Sequence, residues 1–268
     1  MDLEVLRSAV LGIVQGLTEF LPVSSSGHLE IAKFLLGDKA VGEESLLMTV
    51  MLHFATALST IVVFRKDIWT IIKDLFNKPW NEGQEFVLRI VISMLPAGLI
   101  GFFFEPMFEL LFNRRVGFVG FMLLITAAML FIADKPHHER RPLRRWDALW
   151  IGCAQAVALL PGISRSGSTL ATSLYLGIER YQAARFSFLM VVPLILGKIG
   201  YEVVMGDGPG SSAGAMALIV GFGAAFVSGI LACKWMIRLV MKSSLRYFGI
   251  YCIAVGLFAI ILSIVTRG

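Results

Sequence analysis

Residues 11–27 read LGIVQGLTEFLPVSSSG, and residues 151–167 read IGCAQAVALLPGISRSG. At an offset of 140 positions Gly12 meets Gly152, Gln15 meets Gln155, Ser24 meets Ser164, Ser26 meets Ser166, and Gly27 meets Gly167. The Leu21–Pro22 pair returns as Leu160–Pro161, one place out of step. A small, polar segment broken by Gly and Pro is thus written twice into one chain. Duplicated, interrupted segments inside an apolar protein point to a binding site at the interface of two transmembrane repeats.

The rest of the chain supplies the membrane. Of its 268 residues 57% are hydrophobic and 16% charged, which is not the balance of a soluble domain. Crossing the hydrocarbon takes about 20 apolar residues. Hydropathy predicts six spanning helices, near 45–64, 87–104, 116–133, 185–205, 214–234 and 246–266. The repeated segments, 5–36 and 145–177, are long enough to enter the bilayer but are interrupted midway. Irregular backbone at that depth needs protein or a wet cavity around it. Each segment is therefore read as a re-entrant helix–loop–helix hairpin. Each half then holds one hairpin and three spans. A hairpin returns to its own side whereas three spans change sides, so the second half is inverted. The expected fold is an all-α polytopic membrane protein, one integral domain over 1–268. It divides into repeat one, 1–134, and repeat two, 145–268, of inverted topology.

Charge tests this layout. The net charge of +5 reads as loop charge in a membrane protein and argues against nucleic acid as a partner. The loops near 65–89, 134–147, 178–185 and 234–246, all on one side, hold 16 of the 24 Lys and Arg residues, and the opposite side holds 6. The positive-inside rule puts both termini outside the cytoplasm. The first hairpin then enters from outside and the second from the cytoplasm. His137 and His138, in the charged linker, read as surface residues rather than a metal site. Asp2 and Glu4 precede the first apolar run, where a cleaved secretory signal would carry basic residues. Cys153, Cys233 and Cys252 lie in apolar segments without metal-ligand spacing and read as packing residues.

Ionisable groups within the membrane are costly and are functional candidates by default. Glu19 sits just before the first break and Arg165 inside the second. If the breaks meet, these opposite charges meet. The plain alternative is an ion pair that staples the repeats. GISRSGST, 162–169, has the chemistry of an anion cradle. Small residues let the backbone approach, helix-start N–H groups point at the ligand, and Ser164, Ser166 and Thr169 add hydroxyls beside Gly167. Arg165 supplies a planar fork for two phosphate oxygens. A small-residue packing motif is the competing reading, but it would not need an arginine. PVSSSGH, 22–28, offers Ser24, Ser26 and Gly27 as the same cradle without the arginine. Ser25 and His28, three apart on one helix face, suit a hydroxyl beside a general acid/base, although helix capping is the commoner use of such a serine. Gln15 and Glu19, four apart, could hold a divalent cation through oxygen, as magnesium needs few protein ligands when substrate phosphates complete its shell. Among other polar residues in apolar runs, His53 is expected to satisfy a neighbouring helix, and Pro96 and Pro193 to kink their spans.

GIVQGLTEFLPVSSSGH, 12–28, and LLPGISRSGST, 159–169, resemble the undecaprenyl-diphosphate phosphatase family, the bacitracin-resistance proteins, and the resemblance runs over the whole chain. It implies a bacterial inner-membrane enzyme that removes the terminal phosphate of undecaprenyl diphosphate with Mg2+ or Ca2+. The product is the recycled lipid carrier of peptidoglycan synthesis. It also implies a fold similar to inverted-repeat transporters. By position Gln15 and Glu19 match the acidic motif, Ser25 and His28 the first loop, and Ser164, Arg165, Ser166 and Thr169 the second. Residue 15 is glutamine, which the family pattern permits, and residue 26 is serine where threonine is common. The expected partners are a polyprenyl diphosphate lipid and the bilayer, with a second copy of the chain as a candidate. The expected site opens to the periplasm. The competing function is a lipid-phosphate flippase or anion transporter on the same repeat.

Overall fold

A computed structural model describes residues 3–36, 43–112, 116–134, 141–204, 214–242 and 244–266. These form twelve helices: α1 Leu3–Phe20, α2 Ser25–Leu35, α3 Glu43–Val63, α4 Arg65–Leu75, α5 Glu82–Phe112, α6 Val116–Ala133, α7 Arg145–Val157, α8 Arg165–Tyr175, α9 Arg180–Leu189, α10 Val191–Val204, α11 Ala215–Lys242 and α12 Arg246–Val265. Among the described residues the one β-type contact is an isolated bridge between Arg141 and Ile178.

Among the described residues four helices are long and apolar enough to cross a membrane: the Glu82–Phe104 part of α5, α6, α11 and α12. The bent pair Leu47–Val63 and Arg65–Leu75 makes a fifth candidate. The chain is a multi-pass membrane protein of helices, as its hydropathy predicts.

Between two helices in lipid, apolar surface gains little by leaving the solvent, so close backbone contact carries association. Small residues provide it here. A Cβ on Gly12 would lie 2.3 Å from the Gly221 carbonyl oxygen, and one on Gly16 would lie 2.6 Å from that of Ala225, so α1 lies flush on α11. Gly120 and Gly256 bring α6 and α12 together in the same way. Gly152 seats α7 on α5, its missing Cβ 2.4 Å from the Ser93 carbonyl oxygen. The first helix of each repeated segment thus packs on a long helix of the other half of the chain. Gly152→Ala forces a backbone shift and is expected to remove about 1–3 kcal/mol of stability. Gly98→Ala, on the same α5, meets nothing within 4 Å and is expected to be neutral or slightly stabilising. Thermal unfolding of both variants in detergent checks the contrast.

Four of the six expected spans, those near 87–104, 116–133, 214–234 and 246–266, stand as single long helices, and the other two depart from expectation. The span expected at 45–64 turns by 78° into α4, where a loop was expected. The span expected at 185–205 is two helices, α9 and α10, separated at Met190. Pro193 falls in the first turn of α10, where a missing N–H has no partner to lose. The backbone of α5 departs from helical values at Phe104, not at Pro96. Cys233 and Cys252 are buried, while Cys153 is half-buried. His137 and His138 lie outside the described residues.

Candidate active site

The repeated sequence folds as repeated geometry. Residues 21–24 interrupt α1 and α2, and residues 158–164 interrupt α7 and α8. Serine is a favoured helix N-cap because its side-chain oxygen satisfies a first-turn N–H. Ser24 caps α2 by accepting from the Gly27 N–H at 3.2 Å, and Ser164 caps α8 by accepting from the Gly167 N–H at 3.0 Å. Ser24 Oγ lies 3.3 Å from Ser26 Oγ, and Ser164 Oγ lies 3.3 Å from Ser166 Oγ. The carbonyl of each cap accepts from a side chain four residues on, His28 Nδ1 at 2.8 Å and Ser168 Oγ at 2.7 Å.

The bends themselves differ. Ser24 has φ 71°, a value rarely adopted by a residue with a Cβ, whereas the positive φ of the second break falls on Gly162, at 100°. A serine held there stores local strain of the kind found at functional sites. The displaced Leu–Pro pair accompanies this shift of the bend.

The two breaks interlock. Ser166 Oγ donates to the Leu21 carbonyl at 3.0 Å. A Cβ on Gly167 would sit 3.3 Å from Pro22 Cβ, and one on Gly27 would sit 3.2 Å from Gly162 Cα. Thr126 of α6 clamps the second break, donating to the Gly162 carbonyl at 3.2 Å and accepting from the Ser164 N–H at 3.0 Å.

Glu19 is where the halves meet chemically. Arg165, the first residue of α8, ion-pairs with Glu19 Oε1. Ser25, the first residue of α2, donates to Glu19 Oε2 at 2.6 Å, and Gln15 Nε2 donates to the same oxygen at 2.9 Å. The Glu19 side chain is 3% exposed whereas that of Arg165 is 23% exposed, so the guanidinium is the member that a ligand can reach. The pair lines a narrow cleft together with Phe20, Ser166, Ser187, Phe188 and Val191.

Of the residues picked from sequence, Gln15, Glu19, Ser25, Arg165 and Ser166 come together here. Ser24, Ser164, Gly27 and Gly167 build the bends rather than line the cleft. Thr169 turns its hydroxyl to Ser187 of α9, at 2.5 Å. The His28 imidazole is engaged by groups other than Ser25. Its Nδ1 meets the Ser24 carbonyl and so holds the proton, while Nε2 lies 2.9 Å from the Tyr251 hydroxyl of α12, ring stacked on ring.

Two residues at the centre were not assigned to it from sequence. His53 of α3 places Nε2 3.8 Å from Glu19 Oε2 and bonds Nδ1 to the Thr49 carbonyl at 2.8 Å. It serves a neighbouring helix as expected, but the group it faces is Glu19 itself. A lone histidine inside an apolar span was the available signal. Ser187 carried none, because only the break at Met190 and the packing of α9 bring it to α8.

The family model described as "Bacitracin resistance protein BacA" matches residues 8–258. The undecaprenyl-diphosphatase of Christiangramia forsetii is 56% identical over 259 residues, covering 97% of this chain and 98% of that protein. That of Bacteroides thetaiotaomicron is 49% identical over 266 residues, covering 96% and 98%. That of Methanobrevibacter smithii is 36% identical over 272 residues, covering 95% and 96%.

Proposed function

The chain belongs to the bacitracin-resistance protein BacA family, and we propose that its chemistry takes place at the Glu19–Ser25–Arg165 cluster between the two breaks. The reaction is hydrolysis of undecaprenyl diphosphate to undecaprenyl phosphate and inorganic phosphate, the activity for which its relatives are named. It recycles the lipid carrier of cell-wall synthesis and confers bacitracin resistance. The observation that carries the site assignment is the Ser25 hydroxyl donating at 2.6 Å to a carboxylate whose other oxygen meets Arg165. A transport protein has no need of an activated hydroxyl beside its anion site, so the flippase reading is not favoured.

The steps follow from the contacts. Arg165 leaves Glu19 for the diphosphate, where its fork and the α8 N-terminus match phosphate oxygens. Glu19 is then free to accept the Ser25 proton as Oγ attacks the terminal phosphorus. The Oγ–P bond forms, the bridging O–P bond breaks, and undecaprenyl phosphate leaves with the bridging oxygen. Water then attacks the phosphoserine. Glu19 returns its proton to Oγ, and both protons of the water leave on the inorganic phosphate. His28, held between Ser24 and Tyr251, keeps the first turn of α2 in place, and His53 steadies Glu19 from α3.

A divalent cation fits the donor set. Among the described residues the buried Gln15 Oε1 has no hydrogen-bond partner, and with Glu19 it offers the oxygen ligands that Mg2+ or Ca2+ prefers. When bound, such an ion would neutralise charge on the phosphate oxygens. Phosphate release from a prenyl diphosphate in detergent is expected to stop with a chelator and return with added Mg2+ or Ca2+. Unchanged release in excess chelator would rule out the metal at Gln15 and Glu19.

The halves 1–134 and 145–268 form an inverted-topology repeat in this reading. Its support is the paired caps Ser24 and Ser164 and the matched packing of α1 on α11 and α7 on α5. The enzyme sits in the bacterial inner membrane with its cleft opening to the periplasm, as the loop charges favour.

A further inference from the structure

Helix α4 has no task in the reaction, yet its surface is not that of an ordinary loop or span. It leaves α3 at 78° and is eleven residues long, too short to cross. Its inner side is committed to the protein. Ile71 is buried, Asp67 Oδ1 lies 2.7 Å from Arg185 Nε of α9 in an ion pair without hydrogen-bond alignment, and Asp74 abuts Gly83 of α5. The outer side pairs apolar bulk with positive charge. Trp69 is 59% exposed, Phe76 85%, and Trp80 just beyond 61%. Arg65, Lys66 and Lys73 are exposed beside them, with Lys73 Nζ 5.2 Å from the Trp69 ring centroid. Among the described residues no carboxylate forms an ion pair with these three cations. Both acids of the helix point inward, so among the described residues no carboxylate of α4 offsets the charge on the outer face.

We propose that α4 lies along the bilayer surface and gathers anionic phospholipid headgroups on Arg65, Lys66 and Lys73. A short amphipathic helix with aromatic anchors and a basic flank is built for the interface plane. Its apolar edge enters the acyl boundary while its cations meet headgroup phosphates. Anionic rather than zwitterionic lipid is specified by the uncompensated charge, because a net-neutral headgroup gains little from it. The Asp67–Arg185 pair ties this surface to α9, which carries Ser187 two residues further on.

The test is quenching in vesicles. A protein retaining Trp69 alone, with Trp80, Trp146, Trp150 and Trp235 changed to Phe, is reconstituted into phosphatidylcholine. One set of vesicles contains brominated phosphatidylglycerol and the other brominated phosphatidylcholine at the same fraction. Stronger quenching by the anionic lipid is expected, with roughly fivefold local enrichment per cation. The excess should shrink in K66Q/K73Q and vanish in R65Q/K66Q/K73Q. It should also fall in the unaltered single-Trp protein as salt shortens the Debye length from about 10 Å to about 3 Å. Equal quenching by the two lipids means ordinary lipid contact and overturns the proposal. Absence of quenching by either means that α4 stands off the bilayer, and overturns it as well.

Discussion

Arg165→Ala is expected to lower kcat/KM for a prenyl diphosphate by about three orders of magnitude, the scale of losing an arginine that stabilises charge in phosphoryl transfer. Arg165→Lys should recover little of this, because a point charge does not replace the fork. A purely structural explanation must be separated. Arg165→Ala also strands a carboxylate whose side chain is 3% exposed, and breaking a buried pair costs about 3–5 kcal/mol. The double variant Glu19→Gln with Arg165→Ala removes the stranded charge. It should regain much of the thermal stability and none of the activity. If Arg165→Ala itself turned over at the unaltered rate at temperatures where it stays folded, Arg165 would be a staple between the breaks and not a phosphate ligand.

Ser25→Ala is expected to be the more severe catalytic change, above about 10⁴-fold in kcat, with the protein still folded and still binding substrate. The replacement removes only a hydroxyl that donates to Glu19, so folding should be nearly unaffected. Had water been the nucleophile, the loss would be nearer tenfold, since Glu19 would remain to activate it. Rapid quenching with substrate labelled on the terminal phosphate separates the two, because label on Ser25 requires attack by Oγ. Glu19→Gln should slow labelling and its discharge together, since one carboxylate serves both half-reactions.

Much of this site was legible before any coordinates. The 140-residue offset located both breaks, and the residues that differ between the copies are those proposed to carry the chemistry. Position 19 is Glu where 159 is Leu, and position 165 is Arg where 25 is Ser. What the sequence could not supply was the direction in which side chains turn. Ser25 and His28 share a helical face by spacing, but the Ser24 carbonyl and Tyr251 capture the imidazole and Glu19 captures the hydroxyl. His53 is 34 positions from Glu19 in the chain, and nothing local links them. Helix α4 was hidden for another reason. Its polar charge masked an amphipathic pattern of eleven residues, too short for hydropathy to register. The break at Met190 was equally invisible, since the apolar run continues through it.

The convergence of the two breaks is the claim on which the chemistry rests, and cross-linking measures it directly. Pro22→Cys with Gly167→Cys, in a protein whose Cys153, Cys233 and Cys252 are replaced by Ala, places two thiol-bearing Cβ positions 3.3 Å apart. That spacing lies near the disulfide range of about 3.5–4.5 Å. A protease site inserted in the 135–140 linker lets one gel report whether the halves stay joined after cutting. Rapid oxidation, with the halves held together until reductant is added, is the expected result. Halves that separate freely under oxidising conditions would contradict the convergence, and with it the shared site.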